Sequence, residues 1–366
     1  MELASRGVRV PHAPAAVASW PGENLRPSRR AREARGLSST TRTRVSRFVV
    51  SSPRVNPSDR VDLSVQVGAL RLANPIIAAS GTFGYGLEFA HLVDLNRLGG
   101  FVTKGLSLEP IQGAPAPRLT DTPSGMLNAV GLENVGVEAF IRDKLPLLRK
   151  YNTHVIVNVF GVCLEDYVEV VRRLENAEGI SAYELNISCP NVKRGGMQFG
   201  SDPALLEEVV SAVRKAARKR PLWVKLMPLV TDIRLIAKSA EQAGADALTV
   251  ANTFPAMAID FRTQKSLLGN LTGGLSGPAI KPITLRLVWE VSKSVGIPIL
   301  GLGGVETVSD VLDYVSVGAT AVQVGTASFS DPRVSEAIVG GLAQGIMDVN
   351  MFTFSELRGK FSRENG

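Results

Sequence analysis

The sequence predicts an α/β protein: a (β/α)8 (TIM) barrel preceded by a short N-terminal β-hairpin and a disordered basic leader. Three observations predict it. Eight short β-rich runs recur between residues 75 and 325, amphipathic segments of helical period follow them, and the residues just past the runs are polar. A doubly wound sheet is the competing architecture, but it usually has fewer units and a glycine fingerprint after its first strand, which this chain lacks.

The elements follow in order from Val61. The stretch Val-Asp-Leu-Ser-Val-Gln-Val-Gly-Ala-Leu-Arg-Leu-Ala-Asn-Pro alternates apolar and polar residues around Gly68, which predicts a hairpin. The β-rich runs are Pro75–Ala79, Gly100–Thr103, His154–Phe160, Ala182–Ser188, Leu222–Met227, Ala247–Ala251, Pro298–Gly303 and Thr320–Gly325. Helical segments include Asp202–Arg218, Asp232–Ala243, Ala279–Val295 and Thr307–Val317. Asp202 followed by Pro203 reads as an N-cap with proline at the first helical position.

Charge divides the chain in two. The 366 residues carry a formal net charge of +7, which by itself would suggest a polyanionic partner. Residues 1–60 hold twelve Arg, no Lys and four acids, whereas the remaining residues hold 29 basic and 30 acidic groups. The body is therefore neutral, which argues against a nucleic-acid footprint on it. The leader is rich in Arg, Ser, Ala and Pro and reads as disordered, because it has too little apolar surface to offset its ordering entropy. A transit peptide, a basic binding arm and upstream sequence from a wrong start site are its three readings. The domain expectation is a leader over 1–60 and a catalytic barrel over 61–366, cytoplasmic, with organelle targeting by the leader as the alternative. No stretch of about 18 apolar residues is free of charge and glycine, so no membrane span is expected. Two Cys and three His supply neither a disulfide framework nor a His-rich metal site.

In such a barrel the chemistry sits on the loops after the strands. Those loops begin with Ser80, Gly81 and Thr82; Lys104 and Gly105; Asn158; Asn186, Ser188 and Cys189; Lys225; Asn252 and Thr253; Gly303 and Gly304; and Gly325 and Thr326. Glycines after strands seven and eight predict a phosphate site made of backbone N–H groups. Lys225 interrupts an apolar strand, and a buried lysine is costly unless it is paired or functional. With Lys104 it suits an anionic substrate and an electron-rich cofactor; a Schiff-base lysine is the rival reading. Cys189 ends a strand and opens a glycine-containing loop, so it is a candidate nucleophile or general base. No His is placed by sequence to activate it, which weakens a Cys–His hydrolase. Cys163 reads as an inert residue in a turn before a helix.

At these residues the chain from about Val61 onward resembles the dihydroorotate dehydrogenases of class 1, most closely subclass 1B. The matching text is ANPIIAASGTFGYG (73–86), TKGLSLEPIQGAPAPRL (103–119), NAVGLENVGV (128–137), NISCPNVKRGGMQFG (186–200), VKLMPLVTDI (224–233), ANTFPAMAIDFRT (251–263) and GGLSGPAIKP (273–282). The resemblance implies an FMN-binding barrel that oxidises dihydroorotate to orotate in pyrimidine synthesis. It implies that Cys189 removes the proton from carbon 5 while hydride leaves carbon 6 for the flavin. Class 2 enzymes carry Ser at that position and a membrane-associating helical extension, and neither is read here.

It further implies that Asn128, Asn186, Asn252 and Thr253 hydrogen-bond the substrate, that residues Asn128, Ala129, Val130, Gly131 and Leu132 line it, and that Lys104 lies near both substrate and flavin. Amides suit this ligand because each offers a donor and an acceptor. Ser80, Gly105, Asn158, Asn186 and Ala251 would line the flavin, Lys225 would stabilise negative charge on it, and Gly277, Gly303, Gly304, Gly325 and Thr326 would hold its phosphate end. Ala251 stands where the family usually has a larger aliphatic residue, so a backbone contact is expected there.

Subclass 1B implies a homodimer of catalytic subunits joined by a second subunit carrying FAD and a [2Fe–2S] cluster, a heterotetramer that passes electrons to NAD. The two Cys here cannot hold such a cluster alone. Fumarate, the acceptor of subclass 1A, is the alternative. A dihydropyrimidine dehydrogenase-type barrel, a Schiff-base lyase and a non-catalytic binding barrel are the other functional readings.

Overall fold

The computed structural model describes residues 61–188, 190–191 and 197–361. Residues 1–60 and Cys189, the subjects of two expectations above, lie outside them.

Eight parallel strands close into a barrel: β1 (Ile76–Ala78), β2 (Gly100–Val102), β3 (His154–Val159), β4 (Ala182–Asn186), β5 (Leu222–Lys225), β6 (Ala247–Val250), β7 (Ile299–Leu302) and β8 (Ala321–Val324). Each of the eight β-rich runs holds one strand, a residue or more shorter than the run. The strands pair in sequence order, and the ring closes where Val322, Gln323 and Val324 of β8 register with Ile76, Ile77 and Ala78 of β1. The strands are apolar because both of their faces are covered.

Helices α1 (Leu164–Glu175), α2 (Pro203–Ala216), α3 (Ile233–Gln242), α4 (Lys281–Ser292), α5 (Val308–Ser316) and α6 (Val334–Asp348) follow strands β3 to β8. Their starts are dictated locally. Asp202 Oδ1 accepts from the N–H groups of Ala204 and Leu205 at 3.0 and 2.9 Å, with Pro203 at the first helical position, as the sequence predicts. Thr307 and Asp310 form a reciprocal capping box at the start of α5. The helices bury Val, Leu and Ile stripes, such as Val209, Val210 and Val213 of α2, each stabilising the fold by about 1.5–3 kcal/mol. No helix among the described residues is long and apolar enough to cross a membrane.

The predicted hairpin is present as Val65–Val67 paired antiparallel with Leu70–Leu72. It packs at the N-terminal end of the barrel: Gly68 lies against Asp246, just before β6, and the Arg71 carbonyl is 3.0 Å from His154 Nε2 at the start of β3. At the opposite end stands an element that sequence patterning does not resolve. Leu119–Thr122, Gly125–Asn128, Gly273–Ser276 and Phe254–Ala256 form a four-stranded antiparallel sheet. It joins the excursion after β2 to the excursion after β6.

Candidate active site at the C-terminal end of the barrel

Register partners in a parallel sheet share a face, so the pairings identify what points into the barrel. Asn158 pairs with Glu184, Glu184 with Trp223, Lys225 with both Asn186 and Thr249, and Leu302 with Gln323. Five polar side chains therefore meet among apolar neighbours: Asn158, Glu184, Lys225, Thr249 and Gln323, each at most 7% exposed.

Glu184 organises them. Its carboxylate accepts from Asn158 Nδ2 at 2.9 Å, Thr249 Oγ1 at 2.8 Å and Gln323 Nε2 at 2.6 Å. No hydrogen bond among the described residues reaches Lys225 Nζ. Burial pushes its pKa down, and the nearby Glu184 charge opposes that shift.

Above this layer lie the strand-end amides. Asn252 Nδ2 donates to Ser188 Oγ at 2.7 Å and lies 3.4 Å from Asn186 Oδ1, which also accepts from the Ser188 N–H at 3.2 Å. Asn186, Ser188 and Asn252, read as separate strand ends, thus form one cluster. Asn128 and Thr253 are brought together by the antiparallel sheet. Asn128 Nδ2 donates to the Gly274 carbonyl at 3.1 Å, and a Cβ on Gly274 would stand 2.1 Å from Thr253 Oγ1. Glycine at 274 is what permits this approach.

Residues Ala129 to Leu132 leave that sheet in a turn in which Gly131 and Leu132 take left-handed φ values of 74° and 58°. The turn is held where the Val130 carbonyl accepts from the Ala114 N–H. Lys104 ends the second strand run, and its Nζ lies 3.1 Å from Glu133, which also binds Arg118 Nη1 at 3.0 Å. Those two cations hold the Glu133 carboxyl below its usual range, the Lys104 hydrogen bond first.

Ser80 Oγ donates to the Thr103 carbonyl at 2.8 Å, linking the ends of β1 and β2. A Cβ on Gly105 would stand 2.9 Å from Asn158 Oδ1, so Lys104, Gly105 and Asn158 share one side of the mouth. Ala251 is buried, and its N–H donates to the Leu302 carbonyl. Its small side chain is accommodated where the ends of β6 and β7 are tied together.

The glycines after β7 and β8 face the same end. Gly304 has φ 65°, and a Cβ on it would meet the Gly277 carbonyl at 2.8 Å, so only glycine fits without strain. Tyr314 Oη donates to the Gly303 carbonyl at 2.7 Å and contacts Thr284 Oγ1. Because C=O and N–H of one peptide point opposite ways, this bond turns the Gly304 N–H away from Tyr314. Nearby Lys281 is held by Asp310 and Asp313, which leaves backbone as the donor at this turn. A Cβ on Gly325 would meet no atom closer than 3.6 Å, so the space beside this turn is open. Thr326 follows it at the start of the short helix Ala327–Ser330.

Tyr314→Phe is accordingly expected to weaken retention of a phosphate-bearing ligand several-fold and to cost about 1–2 kcal/mol of stability. Ligand titration and thermal unfolding of the purified variant check both. An unchanged ligand affinity would separate Tyr314 from the cradle.

These features fit a flavin mononucleotide. They supply a backbone cradle free of side chains, a buried ammonium with no acceptor among the described residues, and half-buried amides at the mouth. Sequence reasoning missed Glu133, Arg118, Glu184, Thr249, Gln323 and Tyr314. Glu184 carried a usable signal, a lone acid within the apolar run Ala182–Leu185, by the same logic that singled out Lys225.

The family model for dihydroorotate dehydrogenase matches residues 62–346. The chain belongs to the dihydroorotate dehydrogenase family. Relatives named dihydroorotate dehydrogenase B (NAD(+)), catalytic subunit, support the membership. That of Pelobacter propionicus is 52% identical over 298 residues, covering 81% of this chain and 98% of the relative. That of Thermodesulfovibrio yellowstonii is 50% identical over 299 residues, covering 82% and 98%. That of Geobacter metallireducens is 50% identical over 300 residues, with the same coverage. Membership in this family sets aside the Schiff-base lyase reading of Lys104 and Lys225, and both lysines lie at the C-terminal end of the barrel strands.

Proposed function

We propose that the chain is the catalytic subunit of an NAD-linked dihydroorotate dehydrogenase, oxidising dihydroorotate to orotate in pyrimidine biosynthesis with FMN as its cofactor. The observation that carries this reading is the convergence of Asn186, Ser188 and Asn252 with Asn128 and Thr253 at the barrel end that also holds Lys104 and Lys225. FMN, when bound, supplies the acceptor for the hydride that leaves carbon 6.

The protein's own residues perform the remaining tasks. Asn128, Asn186, Asn252 and Thr253 present the alternating donors and acceptors that a dihydropyrimidine ring and its carboxylate require. Residues 128–132 close over the ring. Lys104, with its ammonium directed by Glu133, places positive charge beside an anionic substrate. Lys225, buried below, neutralises negative charge that develops on the cofactor side. Gly277, Gly303, Gly304, Gly325 and Thr326 would hold the phosphate end, and Ser80, Gly105, Asn158 and Ala251 would line the ring.

Cys189, two residues past the Ile187 that follows β4, takes the role of base at carbon 5, accepting the proton as the carbon 5–carbon 6 double bond forms. A second subunit bearing FAD and a [2Fe–2S] cluster is proposed to pass the electrons to NAD, because the relatives are named as catalytic subunits and two Cys cannot bind such a cluster. A homodimer within a cytoplasmic heterotetramer completes the proposal.

Comparing dihydroorotate with dihydrouracil tests the substrate. Dihydrouracil lacks the carboxylate, so its reduction of the bound flavin in single turnover is expected to be at least about 100-fold slower, the penalty for leaving buried polar groups unpaired. Equal rates would favour a dihydropyrimidine dehydrogenase-type barrel.

A further inference from the structure

The flavin reading leaves Glu184 unassigned. It is fully buried inside the barrel, one strand away from Lys225, and it belongs to no loop. An ionised carboxylate in such a place is costly unless its lone pairs are met, and three donors from three different strands meet them. One of those donors, Asn158, is a side chain that faces the mouth.

The bonding pattern fixes the amide of Asn158. Glu184 Oε1 can only accept, so the Asn158 NH2 group must point at it, and Asn158 Oδ1 is thereby turned toward Gly105. Thr249 and Gln323 hold the other carboxylate oxygen, so the carboxylate cannot rotate away from Asn158. Lys225 faces the same interior from the neighbouring strand and has no hydrogen-bond acceptor among the described residues. Glu184 supplies the negative charge that opposes its loss of a proton.

We infer that Glu184 is a positioning residue of the flavin site, orienting Asn158 as an acceptor at the mouth from the interior layer that it shares with Lys225. The inference rests on the flavin reading above. Among the acidic and basic side chains of the interior layer, Glu184 and Lys225 face each other; the other members are the neutral Asn158, Thr249 and Gln323.

Glu184→Gln tests it. A glutamine there presents a donor where either Asn158 or Gln323 also presents one, so one of those two amides must flip or lose its partner and the three-donor clamp that orients Asn158 is broken. The FMN dissociation constant of the purified full-length chain, read by flavin fluorescence across pH, is expected to rise at least about tenfold near neutral pH, the loss for one buried donor left without its acceptor. The inflection assigned to Lys225 is expected at lower pH, since its counter-charge is gone.

Glu184→Asp keeps the charge but is one methylene shorter. It is expected to keep the wild-type inflection while binding FMN several-fold more weakly. It also carries the test if Glu184→Gln does not fold, in which case wild-type affinity in Glu184→Asp would overturn the inference. A Glu184→Gln protein with wild-type affinity and inflection would overturn it as well. So would equal weakening in both variants with neither inflection moved, which marks a purely structural role. Failure of the wild-type chain to bind FMN would overturn the flavin reading itself and is thereby distinguished.

Discussion

Cys189→Ala is expected to lower the single-turnover rate of dihydroorotate oxidation by at least about 100-fold near neutral pH, because a positioned general base contributes about 10²–10⁴-fold. Substrate affinity is expected to change little, since the role proposed for Cys189 is to take up a proton and not to anchor the ring. Cys189→Ser separates base strength from shape. Its hydroxyl occupies nearly the same volume but is a poorer base at neutral pH, so the variant should be slow there and recover as the pH rises. Anaerobic stopped-flow reduction of the flavin in the three proteins is the measurement. Rates within a few-fold of wild type for Cys189→Ala would remove this residue from the chemistry.

Lys225→Met is expected to lower the same rate by about 10²–10³-fold, the usual loss on deleting one preorganised charge from a low-dielectric site. The substitution conserves length and apolar volume, so the loss is electrostatic. Burial holds the Lys225 pKa below that of an ordinary lysine. In the proposed role the ammonium is the working form; it is lost as pH rises through that lowered value, and wild-type activity should fall on the alkaline side earlier than an exposed lysine would dictate. Lys225→Arg keeps its charge throughout that range and should retain flat activity there, although its different shape lowers the rate overall. A pH–rate profile of the arginine variant that still falls with the wild-type inflection would assign the titration to another group.

The barrel was legible in the sequence because parallel strands covered on both faces read as runs of Val, Ile and Leu, and these stand apart from the amphipathic helices between them. The runs overshoot the strands at their C-terminal ends. Gly303 and Gly325, counted as strand residues, instead begin the turns after β7 and β8. Helix α6 is hard to read because Gly340, Gly341 and Gly345 dilute its apolar stripe. The antiparallel sheet was illegible for a different reason. Its strands Gly125–Asn128 and Gly273–Ser276 are short and glycine-bearing, and the bond from Asn128 to Gly274 spans 146 positions.

The site divides in the same way. Lys225 was legible as a charge inside an apolar strand, and the amides as polar residues at strand ends. That Asn252 reaches Asn186 and Ser188, that Lys104 is directed by a Glu133–Arg118 pair, and that Tyr314 pins the Gly303 peptide are facts of three-dimensional closure. No periodicity or motif spacing encodes them.

The most direct test is an anaerobic titration of the purified full-length chain with dihydroorotate, following flavin absorbance and orotate together. The expected result is a yellow protein whose absorbance bleaches as one orotate forms per flavin. A colourless protein that takes up no FMN, or a yellow one that dihydroorotate leaves unbleached, would contradict the assignment.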